Sequence, residues 1–185
     1  MPPTSRASQT AKKILAKHEV RKAPTPIEEI AAEYAEILRE TMPDDISGML
    51  VPLPLTSGDV KWVIVVNSDH AEVRQRFTIA HELGHILLHK YTSPHADGRV
   101  RVRFRDEDSS RGSDFEEIEA NGFAAELLMP DRIIRSLAAR IDFDPADGED
   151  DRKAVIAMTR LAKRFEVSVQ ALSFRIANLG SFEMA

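Results

Sequence analysis

The residues best suited to do chemistry lie close together in the middle of the chain. His81 and His85 are four residues apart, and Glu82 directly follows the first histidine. On an α-helix, residues at this spacing lie one above the other on the same face, so both imidazoles can bind one metal ion. Neutral imidazole nitrogen is a good zinc ligand. The pattern therefore predicts Zn²⁺ as cofactor, His81 and His85 as metal ligands, and Glu82 as the catalytic base that activates a water.

The alternative is that these histidines are ordinary helix residues. The chain has only six His, and chance occurrence of the pattern is below ~1% at average residue usage. Residues 71–91 contain no proline and carry an apolar stripe at helical spacing, so the motif has the helical setting that metal binding needs. Gly84 within this helix costs roughly 1 kcal/mol of helix propensity. We expect it to permit the close approach of another backbone, such as a neighbouring strand.

A catalytic zinc needs a third protein ligand, and a predicted helix that ends before Pro130 offers three acids. Glu119 is the expected ligand because it lies deepest in the apolar part of this helix. It is also next to Asn121, an amide that can orient a ligand by a hydrogen bond. Glu116 is the main competitor, one turn earlier, whereas Glu117 is expected to face solvent. Alternatively, these acids only favour the helix N-terminus.

The group that would stabilise the oxyanion of a hydrolysed amide stays open at this point. His70, Tyr91, His95 and nearby arginines are candidates, and the sequence does not rank them. His89 lies one turn after His85 on the same helix. It can either orient a ligand or simply pack as a helix histidine.

Two predicted helices precede the strands. Residues 5–22 predict a basic helix, with a solvated extension as the alternative. Residues 26–40 predict a second helix with Thr25 as N-cap and proline at its first position. Its inward-facing side chains would be Ile27, Ile30, Ala31, Tyr34, Ile37 and Leu38.

Two apolar segments, 46–55 and 60–67, predict strands joined by a hairpin turn at 56–59. The second strand is nearly all apolar and is expected to be central in the sheet. In residues 99–105, four arginines alternate with apolar residues. This pattern is typical of a half-buried edge strand, or alternatively of a basic rim that binds an acidic partner segment.

The C-terminal part predicts helices separated by an acidic loop. A short helix at 131–141 precedes the loop at 142–151, and helices at 151–165 and 169–179 resemble a helix-turn-helix with Ser168 as N-cap. The second of these helices carries only Arg175 as a base. That is poor for binding phosphate, so we expect a structural hairpin, with DNA binding as the alternative.

Composition excludes several classes of protein. The chain has 185 residues, a net charge of −5 and no cysteine, so disulfides and thiolate zinc sites are absent and no general attraction to nucleic acid is expected. The longest apolar runs are too short to span a bilayer, and no signal peptide is visible. We therefore expect a cytoplasmic protein without membrane association. The sequence leaves its oligomeric state open.

Together these residues resemble the ImmA/IrrE family of metallopeptidases. The matching segments are 76–89 and 117–130, with weaker likeness at 161–179, and the resemblance covers about 25–180. It implies an α+β, minimal zincin (gluzincin-like) fold with a small twisted sheet, the HExxH helix and a C-terminal helical hairpin. It also implies zinc on His81, His85 and Glu119, with Glu82 activating water.

The resemblance further implies a zinc metalloendopeptidase that cleaves or inactivates a helix-turn-helix repressor in a stress response, mobile element or toxin–antitoxin pair. The alternative is a non-catalytic, metal-containing module that binds a repressor or DNA. The expected organisation is an N-terminal helical extension (1–24), a zincin-like domain (25–141), and an acidic linker with a helix-turn-helix-like hairpin packed on that domain (142–185).

Overall fold

The helices and strands follow one another in an α+β order, as expected. The computed structural model describes residues 5–54, 60–89, 95–98, 107–138 and 150–180. The helices are α1 Ser5–Lys17, α2 Ile27–Ala32, α3 Glu72–Leu88, α4 Glu107–Leu128, α5 Asp131–Ala138, α6 Asp150–Phe165 and α7 Val169–Gly180. The strands are β1 Ala35–Glu40, β2 Ile46–Pro54, β3 Val60–Asn67 and β4 His95–Gly98.

Some predicted segments fall outside this description. They are the hairpin turn at 56–59, the arginine-rich segment 99–105 and most of the acidic loop at 142–151. Within the described ranges, no helix combines the length and apolar character needed to cross a lipid bilayer.

The described strands form a four-stranded sheet in the order β1-β3-β2-β4. β3 pairs with β1 in parallel and with β2 antiparallel, and β4 lies antiparallel to β2. The two predicted strands are confirmed, and β3 has the predicted central position. Its Ile64 and Val66 side chains are fully buried, because a strand with neighbours on both sides and helices packed on it has little access to water.

The predicted helix over residues 26–40 is wrong in its second half. α2 ends at Ala32, and β1 follows in parallel register with β3, from Ala35 opposite Trp62 to Glu40 opposite Asn67. The free backbone edge of β3 binds this segment, and such pairing overrides a helix propensity of a few tenths of a kcal/mol per residue. Thr25 does not cap α2. Its hydroxyl instead donates a 2.8 Å hydrogen bond to the carbonyl of Leu127.

The N-terminal helix α1 packs on the body of the protein. It is shorter than predicted, ending at Lys17. One of its faces is buried and belongs to the main hydrophobic core, so the solvated-extension alternative does not hold for the described helix. The buried side chains are Ala7, Ala11, Ile14 and Leu15.

Two ion pairs link the C-terminal hairpin of α6 and α7 to helices α3 and α4. The Arg175 guanidinium of α7 lies 2.6 Å from Glu126 of α4, and both side chains are at most 5% exposed. Arg76 of α3 lies 3.3 Å from Glu166 in the turn between α6 and α7. Ser168 caps α7 as predicted, by accepting a 3.0 Å hydrogen bond from the backbone N–H of Ala171.

The buried pair between α7 and α4 generates a stability prediction. Arg175→Met should lower the free energy of unfolding by about 3–5 kcal/mol, because it leaves the Glu126 carboxylate buried without its cation. Adding Glu126→Leu should recover most of this loss, since both charges are then gone. Urea denaturation of the two single variants and the double variant measures the coupling.

Arg164→Met is the matched control, because Arg164 is an exposed base on α6. It should change stability by no more than about 0.5 kcal/mol. If the losses of unfolding free energy from Arg175→Met and Glu126→Leu are strictly additive in the double variant, the two side chains do not form a coupled ion pair.

Candidate metal centre

Helices α3 and α4 approach unusually closely at Gly84. A β-carbon on Gly84 would lie 3.0 Å from Phe123 Cδ1 and 3.2 Å from Ala120 Cα. The backbone that Gly84 admits therefore belongs to a helix, and the expectation of a neighbouring strand is wrong. The contacts show that the helices run antiparallel. His81 contacts Asn121, and His89, later in the chain, contacts Glu116, which is earlier on α4. This approach brings side chains of both helices to one site.

Three donor atoms converge where α3 faces α4. The Nε2 atoms of His81 and His85 lie 2.9 Å apart, and each lies 3.3 Å from a carboxylate oxygen of Glu117. Two bonds of about 2.05 Å at a tetrahedral angle would separate their donor atoms by roughly 3.3 Å. The two imidazoles are almost fully buried, whereas the Glu117 side chain is 33% exposed. Two imidazoles and a carboxylate at these distances fit a zinc ion with one position left open.

Glu119, the expected third ligand, lies on a different face of α4. Its Oε2 atom is 3.8 Å from Arg6 Nη1 of α1 and 3.9 Å from His89 Nδ1. Residues two apart on a helix differ in direction by about 200°. Because Glu117 faces the histidine pair, Glu119 faces away from it. The structure therefore changes the candidate third ligand from Glu119 to Glu117, which the sequence had assigned to solvent.

A signal in the sequence could have found Glu117. It lies four residues before Asn121, so the two share one face of α4. Once Asn121 is expected to orient a ligand, the acid one turn before it becomes the consistent choice. Glu119 instead lies beside the Arg6 guanidinium, which also donates to the carbonyl of Leu88. Nothing in the local sequence pairs residues so far apart.

Asn121 lies where the sequence predicted a group that orients a ligand. Its Oδ1 atom is 3.2 Å from His81 Nδ1. An amide oxygen only accepts, so His81 Nδ1 carries the proton and Nε2 keeps its lone pair toward the donor atoms. This contact is consistent with the predicted role of Asn121 in orienting a metal ligand, which stays a prediction.

Glu82, the predicted base, is fully buried one position beyond His81. Successive helix residues differ in direction by about 100°, which turns Glu82 toward the sheet. A β-carbon on Gly48 of β2 would lie 3.7 Å from Glu82 Oε1 and 2.3 Å from Thr78 Cγ2. Glycine at position 48 therefore leaves the space in which Thr78 and Glu82 pack under β2.

His89 packs beside the metal-site histidines. Its ring centre is 5.4 Å from that of His85, and its Nε2 donates a 3.2 Å hydrogen bond to the carbonyl of Glu116. Burial lowers the pKa of the His89 imidazole below its usual range, with partial opposition from the nearby Glu116 and Glu119. These contacts fit a packed, neutral histidine that supports the C-terminal end of α3.

Of the remaining oxyanion candidates, the described residue His70 does not join the group. His70 Nε2 lies 3.2 Å from the carbonyl of Asp44, before the start of α3. The part of α3 between Glu72 and His81 alone spans roughly 13 Å, so the structure does not bring His70 to the site. Tyr91 lies outside the described residues, and His95 begins the short strand β4.

The α+β fold and the donor set on α3 and α4 define a zincin-like metallopeptidase. Residues 24–177 match the model of the Peptidase M78 family, described as the IrrE N-terminal-like domain. The chain belongs to this ImmA/IrrE family of metallopeptidases. It is also 38% identical over 71 residues to a protein of Bacillus phage phi105 called uncharacterized immunity region protein 2. That match covers 38% of this chain and 40% of the phage protein.

The geometry of the donor set predicts opposite results for two acids of α4. Glu117→Gln should weaken zinc binding by more than about 100-fold, because it removes a charged ligand of the ion. Loss of a hydrogen bond that only supports a ligand weakens binding by roughly 10–100-fold. Glu119→Gln, a substitution of equal size, should bind zinc nearly as tightly as the wild type. Competitive zinc titration of both variants measures the difference. The reverse order of affinities would return the third ligand to Glu119.

The contact between Asn121 and His81 predicts a smaller effect. Asn121→Leu should weaken zinc binding roughly 10–100-fold, because the Nδ1–H of His81 loses its acceptor and the productive tautomer is no longer selected. Asn178→Leu on α7 removes an exposed amide and should leave zinc affinity unchanged. Equal affinities in the two variants would show that Asn121 does not orient the ligand.

Proposed function

We propose that this protein is a zinc-dependent endopeptidase that inactivates a helix-turn-helix repressor by cleaving it. Such cleavage would regulate a stress response, a mobile element or a toxin–antitoxin pair. The observation that carries the proposal is the convergence of His81, His85 and Glu117, with the buried Glu82 next to His81 in the sequence, in a chain of a metallopeptidase family.

The donor set has the chemistry of a catalytic zinc site. A zinc ion held there would supply a polarised scissile carbonyl and a water acidified toward a pKa of ~7. The Nε2 atoms of His81 and His85 lie 2.9 Å apart, and the contact with Asn121 favours the His81 tautomer that can bind a metal. Glu82 takes the proton of the attacking water and returns it to the amine that leaves.

A protein repressor is the substrate class that the available likenesses support. The phage relative is named for an immunity region, which fits the repressor targets that the family resemblance implies. Such a substrate would be met in the cytoplasm.

The hairpin contacts favour a protein partner over DNA. Arg175, the base on the helix that would enter the major groove, is held by Glu126 and by the carbonyl of Met129 at 3.1 Å. Only 3% of its side chain is exposed, so it presents no cation to a phosphate. These contacts support the structural role of the hairpin.

Glu82→Gln tests the catalytic proposal. The variant should keep its fold and its zinc, because no ligand is removed, and it should lose cleavage because the proton acceptor is gone. The zinc-loaded chain is incubated with the repressor encoded beside its gene, and intact mass spectrometry detects the fragments. Glu72→Gln is the matched control, since Glu72 is an exposed acid on the same helix, and it should cleave normally.

Wild-type cleavage rates in Glu82→Gln would remove the base assignment. A stable complex with the repressor, without fragments and with full biological effect in the Glu82→Gln variant, would instead establish the non-catalytic alternative.

A further inference from the structure

A groove lies beside the metal centre, between α3, α4 and α7. Its volume is about 750 Å³, within the range of ligand-binding clefts. Each helix contributes apolar side chains to its lining: Phe77 of α3, Ile118 and Ala125 of α4, and Phe174 of α7. Phe174 is 64% exposed, which is unusual for so large an apolar side chain.

The groove adjoins the metal centre at Asn121. Asn121 lines the groove and also accepts the hydrogen bond of His81. Phe77 lies one turn before His81 on α3, on nearly the same face, and Ile118 directly follows Glu117 on α4. A polypeptide with its scissile bond at the donor atoms can therefore pass Asn121 and enter the groove.

The outer wall of the groove is fixed in place. α7 is held by the buried pair of Arg175 with Glu126, and the turn before it by the pair of Arg76 with Glu166. Ala171, one turn before Arg175 on α7, lies on the groove side together with Phe174. The helix-turn-helix-like hairpin thus forms an apolar wall of the cleft, a use distinct from DNA recognition.

We propose that this groove binds an apolar segment of the substrate polypeptide on one side of the cleaved bond, with Phe174 as a specificity-determining contact. The proposal rests on the peptidase function argued above and adds to it the chemistry of the residues selected. A large apolar substrate side chain would be buried between Phe77 and Phe174. The contact acts on binding and leaves the chemical step to the residues of the metal centre.

The test uses a defined mixture of synthetic peptides of diverse sequence and the zinc-loaded full chain. Mass spectrometry reads the bonds cut by the wild type, by Phe174→Glu and by Ile156→Glu. Ile156 is the matched control, since it is an apolar residue 51% exposed on α6, outside the groove lining. A second readout identifies the peptides retained by immobilised chains that also carry Glu82→Gln, which needs binding but no cleavage.

The wild type should prefer a large apolar residue at one fixed position from the cut bond. Phe174→Glu should lower kcat/KM for such peptides by about tenfold, mainly through KM, and shift the preference toward basic residues. Ile156→Glu should behave like the wild type in both readouts. Unchanged cutting and retention profiles in Phe174→Glu would overturn the proposal and leave the peptidase function standing.

If the wild type cuts no peptide, the endopeptidase function fails separately, and the retention readout still decides the groove. If immobilised Phe174→Glu fails to retain apolar peptides that the wild type and Ile156→Glu retain, the groove proposal is supported. Equal retention by all three chains overturns it. A wild type that is dimeric by light scattering, with a monomeric Phe174→Glu, would show a second copy of the chain in the groove and overturn the proposal.

Discussion

The close packing of α3 against α4 at Gly84 is the constraint on which the site depends. Any side chain at that position would meet Ala120 and Phe123 at 3.0–3.3 Å, so a larger residue would push the helices apart. The histidines lie on one of these helices and Glu117 on the other, so their donor distances are set by this separation. Glycine lowers helix stability by roughly 1 kcal/mol, and sequences accept such local costs at functional sites. Here the glycine lets the donor atoms of the two helices converge.

Helix α4 distributes three acids to three partners according to the face each occupies. Glu117 faces the histidine pair, Glu119 faces Arg6 of α1, and Glu126 faces Arg175 of α7. The same helix therefore presents a candidate metal ligand, fastens the N-terminal helix and anchors the C-terminal hairpin. These ion pairs add to the burial of apolar side chains by which the first and last described helices pack on the core.

The sequence predicted what depends on local patterns and missed what depends on distant pairing. The HExxH spacing and the apolar β3 are local, and their helix and strand are found as predicted. Residues 35–40 form a strand because β3, some 27 residues away in register, binds their backbone. Glu119 is buried, as its position in the apolar part of α4 predicted, but Arg6, with which it forms an ion pair, comes from a helix more than a hundred residues earlier. The division into segments at 24 and 141, and the roles of the site residues, stay predictions.

The most direct test of this account is the position of zinc in a crystal of the metal-loaded protein. Anomalous diffraction at the zinc edge locates the ion independently of any assumption about ligands. The account predicts one strong peak within about 2.0–2.2 Å of His81 Nε2, His85 Nε2 and a Glu117 oxygen. A peak bonded to Glu119 and His89, or no peak between the histidines, would contradict it.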